Sequence, residues 1–180
     1  MNIKKKILKN GAIVGLEASA YTAILYALGI DAFSNWFLSS LVYPLIIGLV
    51  CYYTIQLKKI FPDETFEFKQ TFVVTLSMLM TATLVSTLWS IILFNLIDVE
   101  LAKELSDRIL EQTAETMEKW GAPKSAMKET LHEMRDLPAQ FEPVAQLISW
   151  LKSGLFMAII SLICAAFLRR KEPKNLFTQS

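Results

Sequence analysis

Four blocks of predominantly apolar residues, each about long enough to cross a bilayer, constrain this chain more than any other feature. A hydrocarbon core of about 30 Å takes about 20 apolar residues at a rise of 1.5 Å each. The blocks cover 11–30, 36–57, 71–97 and 145–168. The second and third carry no charge, the first carries Glu17 and the fourth Lys152. Lipid cannot satisfy exposed backbone N–H and C=O groups, so such blocks are read as helices. The predicted fold class is all-α: one integral membrane domain over 1–180 with four transmembrane helices. Of the 180 residues, 53% are hydrophobic and 19% charged, the latter below the soluble norm of roughly 25%. A net charge of +1 gives a nucleic-acid partner no electrostatic footing.

The first block has one rival reading. Lys4, Lys5, Lys6 and Lys9 precede it, and Ala18-Ser19-Ala20 has the form of a signal-peptide cleavage site. The apolar stretch between them is only Gly11 to Leu16, short of the roughly 7–15 residues of a signal core, and the block continues to Ile30. A retained span is expected. Orientation follows from the basic residues. Lys4, Lys5, Lys6, Lys9, Lys58, Lys59, Lys69, Arg169, Arg170, Lys171 and Lys174 fall on one side. On the other, Asp31 to Asn35 has no Lys or Arg, and 98–142 holds eleven acidic against six basic residues. Both termini are expected in the cytoplasm. Trp36, Phe37, Tyr52, Tyr53, Phe94 and Trp150 are expected as interfacial aromatics.

Small residues mark two packing faces. Gly11, Gly15, Ser19, Ala23 and Ala27 recur every fourth residue on the first span, and Ala82, Ser86 and Ser90 on the third. Such faces admit close backbone approach, either within the chain or at a homodimer seam. The third span is rich in hydroxyls: Thr71, Thr75, Ser77, Thr81, Thr83, Ser86, Thr87 and Ser90. These either line a polar path or ligand groove, or bond back to their own helix or a neighbour. Pro44 predicts a kink in the second span.

Between the third and fourth spans, 98–142 reads as an extracytoplasmic amphipathic helical hairpin. Asp98 is the expected N-cap. Gly121 ends the first helix, Pro123 starts the second, and Leu137-Pro138 stops it. Leu101, Leu105, Ile109 and Met117 supply one apolar stripe, and Met127, Leu131 and Met134 the other. Three covers are open for this face: its own partner helix, the lipid surface, or another protein. Met117, Met127 and Met134 either fill the gap between the helices or adapt to a partner.

Few residues could carry chemistry. Glu17 lies about 10 Å inside the first span by helix rise, so it is a candidate proton or cation site unless interfacial water or a hydroxyl satisfies it. Lys152 is its partner by charge but toward the opposite face of the membrane, and is expected to snorkel outward. His132 stands beside Glu129 and Glu133 on the hairpin, with no second feature to make it a pH sensor. Cys51 and Cys164 lie inside apolar blocks, where neither a disulfide framework nor a thiolate is expected. No spacing suits a metal, and no phosphate loop or nucleophile elbow occurs. No cofactor is expected.

Several local patterns recur together. They are Gly11-Ala12-Ile13-Val14-Gly15 behind a basic start, Phe66-Glu67-Phe68-Lys69-Gln70-Thr71-Phe72 before the third span, Phe94-Asn95-Leu96-Ile97-Asp98 at its exit, Pro143 leading the fourth, and the tail Arg169-Arg170-Lys171-Glu172-Pro173. In these the chain resembles the domain of unknown function 4199 family of small bacterial membrane proteins. It departs from that pattern at Val99, where many members have proline, and at Val73 and Val74, where a glycine often opens the span. The resemblance implies a bacterial inner-membrane location and no reaction, cofactor or catalytic residue. The expected role is a non-enzymatic docking or regulatory component that acts through its outer hairpin on a protein partner or a second copy. The alternative is a small homo-oligomeric transporter or ion-coupled carrier using Glu17.

Overall fold

The computed structural model describes residues 2–62 and 66–169, so most of the basic tail (Arg170, Lys171 and Lys174) lies outside the described residues. Helix α1 (Ile3–Ala27) starts where the Asn2 side chain accepts a hydrogen bond from the Lys4 N–H at 2.9 Å. It ends three residues before the apolar block does. Gly29, at φ +97°, turns the chain into the short helix α2 (Ile30–Ser34). The Asn35 side chain then caps α3 (Trp36–Ser40) by accepting from the Leu38 N–H at 3.1 Å.

Helix α4 (Val42–Ile60) follows after a break at Leu41. Pro44 accounts for that break. Its ring excludes the carbonyl four residues back, that of Ser40, and it has no N–H to donate. The predicted kink is therefore a one-residue break at Leu41, which keeps helical dihedrals, so Trp36–Ile60 continues as one stretch. Helix α5 (Phe68–Ile92) continues as one π-helical turn, Leu93–Ile97, closed by the Asp98 N–H on the Leu93 carbonyl at 2.9 Å.

The hairpin consists of α6 (Leu101–Lys119), α7 (Lys124–Glu133) and a 3-10 segment, Met134–Phe141. Gly121, at φ +70°, closes α6 as the sequence predicted. The Ala122 and Gly121 N–H groups bond the Met117 and Glu118 carbonyls, each at 2.9 Å. The second helix stops earlier than expected. Pro138 cannot continue it, so Met134 opens the 3-10 segment instead of extending the α7 stripe. Helix α8 (Pro143–Leu168) completes the chain, with proline in its first turn.

Among the described residues, three helical stretches are long and apolar enough to cross a membrane: Trp36–Ile60, Phe68–Ile97 and Pro143–Leu168. Helix α1 has the length, at 25 residues, but not the required apolarity. Glu17, Asn10, Ser19 and Thr22 dilute it.

Helix α5 is the hub, packed against α1, α4 and α8. Val14 and Ala18 of α1, Val50 and Leu57 of α4, and Met78 and Ala82 of α5 are fully buried there. Gly11 and Gly15 make the α1–α5 approach possible. A β-carbon at Gly11 would sit 2.8 Å from Thr81 Cβ, and one at Gly15 would sit 2.6 Å from the Ala82 carbonyl oxygen. This face is thus occupied within the chain. Numbers rise together along both helices, so α1 and α5 run parallel. Their ends also match. Ile7 packs in one cluster with Phe66, and the Tyr26 hydroxyl donates to Asp98 Oδ2 at 3.0 Å.

Most threonines in this core bond back to their own helix. Thr54, Thr81 and Thr83 each donate to the carbonyl four residues earlier at 2.8 Å. That satisfies the hydroxyl locally and leaves packing to hold the helices together.

Candidate functional site

The hairpin rests on the end of the bundle where α1 and α5 finish. Leu93, Phe94, Leu101 and Leu105 form a second buried cluster, with Tyr26, Ile30, Phe33, Ile109 and Phe141 packed around it. Phe94 sits 4.4 Å from Phe141 and 6.0 Å from Phe33, ring centre to ring centre. It is therefore a core residue, not the interfacial aromatic the sequence suggested. The α6 face at Leu101, Leu105 and Ile109 is covered by the bundle itself. The bundle was not among the three covers open at the sequence level, and it acts together with Phe141 of the hairpin's own second arm. Composition could not identify it, because the covering residues come from four separate elements.

Polar contacts fix the same junction. Asp98 Oδ1 accepts from the Leu101 N–H at 3.0 Å, so Asp98 satisfies the first N–H of α6 from two residues ahead of the N-cap position, Glu100, while its other oxygen holds Tyr26. Arg108 Nη2 lies 2.7 Å from Asp31 Oδ1, and its Nη1 reaches Glu111 at 2.5 Å. The Glu111 and Asp31 carboxylates push the Arg108 pKa above its ordinary value. Gln112 Nε2 donates to Ser34 Oγ at 3.1 Å, and Asn95 Nδ2 to the Phe141 carbonyl at 3.1 Å. The base of α6 is pinned to α2 on one side and to the 3-10 segment on the other.

Beyond this junction, α6 stands off and leaves a cavity of about 980 Å³ between itself and α1 to α5, which also reaches Trp120 at the hairpin turn and Thr130 of α7. Its roof is Leu105, Ile109, Thr113 and Met117. Its floor includes Tyr21, Thr22, Ser86 and Ser90. Met117 lines this cavity, as does Thr130 of α7. Among the described residues that line it, none is charged. Most of its hydroxyls are committed to backbone carbonyls: Tyr21 to Leu38 at 2.7 Å, Thr22 to Ala18 at 3.1 Å, Ser39 to Phe33 at 2.6 Å and Thr113 to Ile109 at 2.7 Å. Ser86 and Ser90 differ. Neither hydroxyl has a hydrogen-bond partner among the described residues, nor have those of Tyr43 and Thr130, and all four line the cavity, the two serines on the third span. The small stripe Ala82, Ser86, Ser90 therefore divides, with Ala82 buried against α1 and both serines facing open space.

The other sequence candidates lie apart. Glu17 is exposed on α1, beside Tyr53 of α4, and is not among the residues that line the cavity. Lys152 is exposed on α8, and the two form no ion pair among the described residues. Ala23 is half-buried and Ala27 exposed, so the stripe's contact with α5 fades toward the end of α1. Trp150 Nε1 donates sideways to Thr83 Oγ1 at 3.2 Å. On α7 no residue is fully buried. Met127 and Leu131, like Met134 beyond it, are half-buried, and His132 is exposed. At the hairpin turn Trp120 is 84% exposed. Cys51 and Cys164, on α4 and α8, meet with their sulfurs 3.7 Å apart.

The family described as protein of unknown function (DUF4199) matches residues 9–170. No curated protein matches the chain, and no solved structure does.

Proposed function

This chain belongs to the DUF4199 family, and from that premise we propose a non-enzymatic docking or regulatory component of a bacterial cytoplasmic membrane, acting through its outer hairpin. Four spans carry it. Helix α1 runs parallel to α5 and matches it at both ends. A helix packed in that way beside a membrane span lies in the same layer, whatever its own apolarity. The connection order then gives α1 and α5 one direction and α4 and α8 the other. The Lys residues at the start of α1 and the end of α4 belong to one side, the cytoplasm, and the acidic hairpin to the other.

One observation carries the docking role. The base of the hairpin is locked by Arg108–Asp31 and Gln112–Ser34, while its tip presents Trp120 and an α7 without a buried residue. A rigid base presents an exposed tryptophan at low ordering cost, and tryptophan is enriched among residues that dominate interface energy. The occupant is a protein partner at the outer face. The carrier alternative has less support, since Glu17 is exposed and is not among the residues that line the cavity with Ser86 and Ser90.

The test is in-cell photo-crosslinking from probes at Trp120 and Glu129, with identification of what is captured. The same distinct protein from both positions supports docking. Capture of the chain's own copies assigns the tip to self-association, and no capture from either position removes the docking role. Orientation is checked by thiol labelling of single cysteines in a background without Cys51 and Cys164. Labelling at Ser125 from outside, and at Lys5 only after permeabilisation, is the expected result.

A further inference from the structure

We propose that the cavity beneath α6 is a binding site for one uncharged, lipid-like amphiphile taken from the outer leaflet. This concerns the space under the hairpin, which extends to Trp120 at the tip, and stands without the docking role. Four observations carry it. First, the cavity is about 980 Å³, at the upper end of the range that small ligands occupy.

Second, it is deep. Ser86 lies eleven residues before Ile97, about 16 Å down the span by helix rise. A space at that depth borders hydrocarbon, where apolar matter and not bulk water is available to fill it.

Third, its side faces the membrane. Its exposed lining includes Trp36, 80% exposed, and Tyr43, 67% exposed, both on the second span, besides Trp120 at the hairpin turn. Such amphipathic rings sit at the level of lipid headgroups. An acyl chain passes them without leaving the bilayer.

Fourth, its chemistry selects. Without a charged side chain among the described lining residues, an ionic headgroup drawn inside would lose its hydration with no counter-charge. Ser86 and Ser90 instead offer two O–H donors without a partner, and the committed hydroxyls of Thr22, Ser39 and Thr113 still accept through their oxygens. An apolar body with an ester carbonyl or hydroxyl matches this set.

The experiment uses the full chain in phosphatidylcholine nanodiscs containing a trace of photoactivatable, clickable diacylglycerol. A phosphatidylglycerol probe with the same reactive chain serves as comparison. Saturable labelling of the peptides around Ser86–Phe94 and Leu105–Met117, competed by unlabelled diacylglycerol, is expected. The Ser86→Ala/Ser90→Ala pair keeps the cavity and removes both donors. It should weaken that labelling by about sevenfold, the worth of two membrane hydrogen bonds. Ser86→Leu/Ser90→Leu fills the space and should abolish labelling. Oxidative joining of Cys51 to Cys164 reports that each variant keeps its helix packing, and the alanine pair decides if the leucine pair does not fold. Labelling that ignores both pairs, or spreads evenly over the outer surface of α8, overturns the proposal. So does equal labelling of the same peptides by the anionic probe, or competition only by a water-borne apolar solute.

Discussion

The sulfur atoms of Cys51 and Cys164 stand 3.7 Å apart, although 113 residues separate them in the chain. This contact joins α4 to α8, two helices that otherwise touch far less than either touches α5. Both thiols are free.

A disulfide needs the sulfurs at about 2.05 Å, so a small approach of the two helices suffices. Mild oxidation with a membrane-permeant oxidant is expected to join Cys51 to Cys164 within one chain. Mass spectrometry after alkylation should show the loss of both alkylated thiols. Retention of both adducts under conditions that oxidise a control membrane thiol pair would mean that α4 and α8 do not pack in this way.

Gly15 tests the α1–α5 contact. An added β-carbon would meet the Ala82 carbonyl oxygen and Val85 Cβ, each at 2.6 Å, whereas one at Gly48 meets nothing within 4 Å. Gly15→Ala is expected to destabilise the bundle by about 1–3 kcal/mol through overpacking, and Gly48→Ala to leave it unchanged. Unfolding by steric trapping in bicelles measures both. Equal stability of the two variants would show that α1 is not seated on α5 at Gly15.

Asp98 holds two elements at once through its separate oxygens. Asp98→Ala removes the acceptor of the first α6 N–H, at a cost of about 0.5–2 kcal/mol, and also strands the Tyr26 hydroxyl. Tyr26→Phe removes only the second contact and should cost less. Amide exchange is expected to quicken over Leu101 to Leu105 in the first variant and to stay near wild type there in the second. Identical exchange in both would remove Asp98 as that acceptor.

Leu105 seals the hairpin to the bundle. It is 5% exposed, whereas Leu131 on α7 is only half-buried. Leu105→Ala should cost about 2–5 kcal/mol and make 98–142 sensitive to protease added from the outside, because truncation there leaves a cavity in the sealing cluster. Leu131→Ala should leave the segment as resistant as wild type. Protection of the segment in both variants would count against the seal.

Much of this architecture was legible in the sequence. Length and apolarity are one-dimensional properties, and the bilayer reads them directly. The stretches Trp36–Ile60, Phe68–Ile97 and Pro143–Leu168 therefore fall where the apolar blocks lie. Local chemistry was equally readable. Gly121 takes the left-handed conformation that ends α6, and the Asp98 side chain accepts the first N–H of that helix, although the N-cap position itself is Glu100. Both acts involve neighbours within five residues.

What the sequence left open depends on how each helix is rotated about its own axis. A membrane helix is apolar on nearly every face, because lipid and protein neighbours are alike in polarity. The hydrophobic pattern that betrays the buried side of a soluble helix is therefore faint. Only the tertiary structure decided that Gly11 and Gly15 meet α5, that Phe94 turns inward, and that Cys51 meets Cys164. The cavity is the extreme case. Ser86 and Ser90 read as two more hydroxyls on a span full of them, and their distinction is the empty space before them, made by helices that the chain brings together from far apart.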